Sequence, residues 1–163
     1  MIAFGALDTG EIDLYPEYTG TVYTTVFGQS PVPGSTPEEV YEEVKAGLKE
    51  DYGIETLNSF GFNNTYVLAV TRETAEQYGL EKVSDLVSVA GQLRLGCSPE
   101  FAVREDGLPG IEAMYGLKFK STHNFSGTLM YTAITSGEVD VITAFSTDGL
   151  LQKYDLVLLE DDK

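Results

Sequence analysis

Three observations predict an α/β fold with two facing lobes. First, short β-branched or apolar runs alternate with segments of helical periodicity, the order that builds α/β units and mostly parallel sheets. The runs are EIDLY at 11–15, TYVLAV at 65–70, QLRLG at 92–96, VDVITAF at 139–145 and YDLVLLE at 154–160. Second, ALDTGEIDLYPEY at 6–18 matches AITSGEVDVITAF at 133–145. Each reads as a helix end, a small hydroxyl residue, Gly, Glu, an aliphatic, Asp and an aliphatic. Two such units far apart in one chain suggest two lobes. Helix–Gly–strand is also a common local solution, and a chance match is the other reading. Third, 163 residues that are 42% hydrophobic suffice for one domain or two small lobes with a buried core.

The helices follow from their caps. In STPEEVYEEVKAGLKEDYG, Thr36 caps, Pro37 suits the first helical position and Glu39 closes a capping box. Val40, Val44 and Leu48 recur at helical spacing, and Gly53 marks the stop. SPEFAVRED, at 98–106, repeats the logic with Ser98 as cap and Pro99 next. TRETAEQYGL and KVSDLVSVAG read as two short helices ending near glycines, and SGTLMYTAITSG as another closed by Gly137. GQSPVPGSTP, at 28–37, is the clearest loop. In the repeat, Gly10 and Gly137 end helices in a left-handed conformation and a strand follows. Tyr18 then corresponds to Phe145, each beyond the carboxyl end of its strand, where open α/β sheets bind ligands.

Charge narrows the function. A net charge of −16 repels phosphate backbones and anionic lipid, so no nucleic-acid partner is expected. No apolar run reaches the length of a membrane span, and MIAFGALDTGE lacks the basic start and apolar core of a leader. Cys97 is the only cysteine and His123 the only histidine. No internal disulfide can form, no His/Cys metal cluster is available, and Cys97 suits an inert buried thiol. The sequons at Asn63 and Asn124 are short patterns that chance accounts for.

Ten tyrosines and eight phenylalanines supply the material for an aromatic pocket. Ring faces attract cations, and a quaternary ammonium, which has no N–H to donate, is best received by such a cage. Tyr18, Tyr66 and Phe145, near predicted strand ends, are the candidate walls; each taken singly also suits a core. There is no GxSxG, HExxH, Walker loop or paired-cysteine motif. Asp13 and Asp140 could form a carboxylate pair, but their recurrence inside the repeat favours a structural role. No enzyme activity, metal or cofactor is expected.

At this point the residues carry a resemblance. GEIDLYPEYTGT, NNTYVLAV, FAVREDGLPG and AFSTDGLLQKYDLVLLEDDK occur in the order and spacing of the substrate-binding proteins of ABC importers for glycine betaine, choline, carnitine and related osmoprotectants. The resemblance covers essentially the whole chain. It implies a type II periplasmic-binding-protein fold, two α/β lobes closing on the ligand, outside the cytoplasm and alongside an ABC permease. It also implies roles. Tyr18 and Tyr66 are cage walls, Thr21 contacts the polar tail, Asn64 lies close by and Arg104 partners a carboxylate. Phe145 takes a place often held by tyrosine, keeping the π-face and losing the hydroxyl. Against the family pattern the chain reads as shortened at both ends. Lobe one, 1–64 plus 150–163, is then incomplete and open to self-association, and lobe two, 65–149, nearly complete. The alternative function is a transport-inactive fragment or sensor domain with the same fold.

Overall fold

The computed structural model describes residues 2–30, 32 and 34–163. Pro31 and Pro33, in the predicted 28–37 loop, lie outside the described residues. The chain divides into two compact units, Met1–Phe62 and Asn63–Lys163.

The first unit is helical. Helix α1 (Ile2–Asp8) is followed by extended chain, then by the single turn α2 (Thr19–Thr21) running into a π-helical Val22–Val26, and then by α3 (Pro37–Tyr52). Helix α3 starts as its sequence predicts. The Glu39 amide donates to the Thr36 hydroxyl at 3.2 Å and the Thr36 amide to the Glu39 carboxylate at 2.8 Å. Gly53 ends it at φ 67°. The buried core is small: Val22, Tyr23, Val44 and Leu48, with Phe4, Val26, Phe27, Val40 and Ile54 against it. The Phe27 ring lies over Gly47, where an added Cβ would stand 2.8 Å from it.

The second unit holds a five-stranded sheet in the order β3-β2-β4-β1-β5. The strands are β1 (Tyr66–Thr71), β2 (Arg94–Cys97), β3 (Ser121–Asn124), β4 (Val141–Phe145) and β5 (Leu156–Leu159). The helices are α4 (Arg72–Tyr78), α5 (Leu108–Tyr115), α6 (Leu129–Thr135) and α7 (Gly149–Lys153). Side-chain alternation along β1 divides the core in two. Leu68 and Val70 join Leu86, Leu95, Phe101 and Val141 on one face, with Tyr66 packed against that cluster. Ala69 joins Met130, Tyr131, Ile134, Ile142 and Ala144 on the other. No helix among the described residues is long and apolar enough to cross a membrane.

Several expectations are corrected. EIDLY is not a strand, because a strand needs a neighbour and the first unit has none among the described residues. The repeat survives only as a turn. Gly10 and Gly137 adopt φ 75° and 74°. The Glu11 and Glu138 amides each donate 2.8 Å back to Ala6 and Ala133, the helix-closing pattern read from the sequence. The helix expected at 98–106 is a run of turns, and the helix α5 follows it instead. The segment from Lys82 is two 3₁₀ turns, Val83–Ser88 and Ala90–Gln92. The sheet is mixed: β1 runs antiparallel to β4 and β5, while β2 is parallel to β3 and β4. Residues 150–163 lie in the second unit, not with 1–64, because β5 pairs with β1 from Leu68↔Leu159 to Thr71↔Leu156. β3, sequence STHN, carries no apolar alternation to announce it.

The unpaired extended segment makes a prediction. Among the described residues no backbone hydrogen bond holds the amides of Asp13, Leu14, Tyr15 or Glu17. They are expected to exchange with solvent near the unprotected rate, while Ala69 and Ile142 amides persist orders of magnitude longer. Hydrogen-exchange NMR checks this; comparable protection at Leu14 and Ile142 would contradict it.

Candidate ligand-binding site

The strongest concentration of the expected site residues is at one end of the sheet. Because β1 is antiparallel to β4, its first residue, Tyr66, stands opposite the last residue of β4, Phe145. Their ring centroids are 4.7 Å apart with a 33° tilt. Phe145 is 45% exposed and Tyr66 is half-buried. The pair therefore offers aromatic surface rather than filling a core. Its frame is held by backbone: Ser146 donates to the Thr65 carbonyl at 2.9 Å and Thr65 to the Ser146 hydroxyl at 3.2 Å. Asn64 joins this end, its side-chain oxygen accepting from the Thr147 hydroxyl at 2.9 Å. Asp148 caps α7 through the Leu150 amide at 2.9 Å and accepts the Tyr131 hydroxyl at 2.7 Å. The Ser146–Asp148 turn is thus tied on two sides. Burial and that carboxylate push the Tyr131 hydroxyl's pKa upward.

Arg104 sits on the turns after β2. Its Nε and Nη2 donate to Asp106 at 2.8 and 2.7 Å, a two-pronged pair, and Nη1 donates to Glu100 at 3.2 Å. Donating these hydrogen bonds to Asp106 raises the guanidinium pKa, and accepting them holds the Asp106 carboxyl below its ordinary range. Arg104 is a cation already engaged by two carboxylates. Tyr18 and Thr21 belong to the first unit. Tyr18 precedes α2, accepts from the Val22 amide at 3.1 Å, and is 45% exposed. Its ring meets Phe62 edge-on at 6.3 Å, and Phe62 stacks on Phe60 at 6.5 Å. Thr21 is half-buried at the end of that turn.

Two aromatics escaped the sequence reading. Phe62 gave a faint signal, an aromatic beside glycine and asparagines in FGFNN. Phe101 gave a misleading one, since its periodicity placed it in a helix. In the fold its ring lies 4.8 Å from Tyr66. A cavity of about 380 Å³ opens beside these rings, lined by Tyr66, Phe101, Val83, Ile111, Leu159 and Asp161. Among the described residues no group of three or more His, Cys, Asp or Glu is placed to hold a metal ion. Cys97 is fully buried, and burial pushes its thiol pKa up.

Asp140 is structural in this fold. Its Oδ2 accepts from the Arg94 amide and Nε at 2.8 Å each, and its Oδ1 from Nη2 at 2.9 Å. The Asp140 amide donates to the Arg94 carbonyl at 2.9 Å, so the pair locks the start of β2 to the start of β4. The Arg94 hydrogen bonds lower the Asp140 pKa. A depressed carboxylate stabilises the fold above its unfolded pKa of about 4 and loses that contribution as pH falls through the lowered value. Asp140→Asn is expected to cost on the order of 1 kcal/mol at neutral pH. The difference from the parent should close as pH falls below about 4 and through the lowered value. Urea melts across that range check it; a pH-independent difference would contradict it.

Comparison with known proteins bears on this geometry. The sequence profile of the family described as the substrate binding domain of ABC-type glycine betaine transport systems matches residues 1–163. The carnitine transport binding protein OpuCC of Listeria monocytogenes is 35% identical over 160 residues, covering 97% of this chain and 51% of its own length. An ergothioneine transport permease/ergothioneine binding protein of Helicobacter pylori is 33% identical over 158 residues, 97% of this chain and 28% of that protein. The chain thus spans about half of one relative and under a third of the other. A crystal structure of a glycine betaine/carnitine/choline ABC transporter superposes with a TM-score of 0.76 at 34% identity, over 99% of this chain and 59% of that one.

Proposed function

Because the chain belongs to the family of substrate-binding domains of ABC-type glycine betaine transport systems, we propose that it captures a quaternary ammonium solute for import and performs no chemistry on it. The observation that carries this reading is the half-exposed Tyr66–Phe145 ring pair at the end of β1 and β4. Glycine betaine, carnitine, ergothioneine and choline share one group, a trimethylammonium. It has no N–H to donate, so stacked π-faces are its effective receptor. Tyr66 and Phe145 serve as walls, and Asn64 and the Ser146–Asp148 turn set their edge. Tyr18 and Thr21 enter on the family resemblance, as a further wall and a contact for the polar tail. Phe145 supplies a face without a hydroxyl to donate.

Arg104 is the proposed partner of a ligand carboxylate, which favours a betaine over choline. To serve it must exchange at least part of its pairing with Asp106 and Glu100. Arg104→Gln is therefore expected to weaken glycine betaine about tenfold while leaving choline within about twofold, because only one ligand loses a charged hydrogen bond. Equal losses for both would remove Arg104 from the site.

Calorimetry tests the core of the reading. Choline is expected to bind and its neutral tert-butyl isostere, of the same shape, to bind at least tenfold more weakly. Equal affinity would refute cation recognition by the rings. The permease of an ABC importer is the proposed partner, and the outer face of the cytoplasmic membrane the proposed location. Exposed apolar side chains in the first unit, Ile2, Leu57 and Phe60 among them, favour self-association as a means of covering them. Sedimentation at rising concentration reads that out.

A further inference from the structure

We infer that Phe101 is the positioning residue of this site, holding Tyr66 at the angle at which it presents its face to a cation. This rests on the reading of Tyr66 as a cage wall.

Tyr66 has little of its own to orient it. It opens β1 at the edge of the core, and among the described residues its hydroxyl has no hydrogen-bond partner. Its ring angle is set by packing against two other rings. Phe145 is 45% exposed and ends its strand, so few neighbours confine it. Phe101 is 1% exposed and the largest of the fully buried side chains. Its ring stands 4.8 Å from Tyr66 at a tilt of 55°.

The backbone of Phe101 is also held at two points. Its amide donates to the Ser98 hydroxyl at 3.1 Å. Its carbonyl accepts from the Leu108 amide at 2.9 Å. That same oxygen would lie 2.3 Å from a Cβ on Gly107, so only glycine lets the chain close there. Gly110 repeats the device: a Cβ would stand 2.5 Å from the Glu105 carbonyl. The turns from Ser98 to Gly107 therefore hold the Phe101 backbone where its buried ring packs against Tyr66. Structural needs explain a buried apolar residue here. They do not by themselves require an aromatic in contact with the one half-buried tyrosine that opens β1.

A double-substitution cycle on the whole chain tests this, with tetramethylammonium as probe and its methyl signal followed by NMR titration. Phe101→Leu keeps the position apolar and removes the plane that orients Tyr66; about fivefold weaker binding is expected. Adding Phe101→Leu to Tyr66→Ala should cost nothing further, because there is no ring left to orient. Gly107→Ala, which displaces the Phe101 carbonyl, should reproduce the Phe101→Leu loss. Phe101→Met, unbranched and able to adapt to an irregular space, replaces Leu if a urea melt shows the Leu variant unfolded. Two results would overturn the inference while wild-type binding stands: unchanged affinity in a folded Phe101→Leu protein, or losses at 66 and 101 that multiply. Absence of wild-type binding would overturn the cage reading itself, and the inference with it.

Discussion

Tyr66→Ala is expected to weaken glycine betaine binding about thirtyfold, the loss of some 2 kcal/mol that a desolvated cation–π contact contributes. The size follows from the position of the ring. Tyr66 contacts Phe145 at 4.7 Å and Phe101 at 4.8 Å. Truncating it removes one proposed wall and unseats the other, which is exposed and has no second ring contact among the described residues. Tyr66→Phe keeps the face and should stay within about threefold, since the hydroxyl has no partner among the described residues. Isothermal calorimetry on the parent and both variants measures this. An unchanged affinity in Tyr66→Ala would remove Tyr66, and with it the aromatic-cage reading. A loss as large in Tyr66→Phe would shift the recognition from the ring to the hydroxyl.

Ile142→Ala is expected to destabilise the second unit by about 2 to 5 kcal/mol, the range for emptying a core position that cannot collapse. Ile142 is fully buried in the middle strand of the sheet. Its cross-strand neighbours are Ala69 on β1 and Gly96 on β2, and neither has a side chain able to move into the vacated space. Gly96 is already roofed by Val139 and Phe125, which would lie 3.1 and 3.3 Å from a Cβ there. The cavity should therefore persist. In urea the midpoint is expected to fall with an unchanged slope. A cost under about 0.5 kcal/mol would show that the neighbours relax into the gap. The same substitution loosens β4, whose last residue is Phe145, so binding should weaken in step with stability.

Legibility varied with the range of the forces involved. The start and stop of α3 were readable because both reciprocal bonds of Thr36 and Glu39 and the left-handed Gly53 lie within the helix itself. Four of five strand runs were readable because short blocks of β-branched or apolar residues suit a pleated, buried surface. EIDLY is likewise a short run with apolar residues and forms no strand, because pairing depends on a neighbour that composition does not report. The segment 98–106 has a capping serine and a proline, yet it forms turns, and the helix starts only after Gly107 at φ −99° and ψ −131°. The directions of the strands were not readable either. The expected parallel sheet became mixed once β1 entered between β4 and β5.

The site divides along the same line. Predicted strand ends supplied Tyr18, Tyr66 and Phe145, and motif resemblance Thr21, Asn64 and Arg104, as names along the chain. The structure brings Asn64, Tyr66 and Phe145 to one end of the sheet, binds Arg104 to Asp106 and Glu100, and places Tyr18 beside Phe62 in the first unit. By itself the sequence determined the caps, the helix-closing glycines, the apolar blocks and the family, because each is written in residues near one another or in a motif. Only the tertiary structure decided that Tyr66 faces Phe145 and rests on Phe101. Those contacts join residues far apart in the chain, and an antiparallel register and the close approach at Gly107 set them.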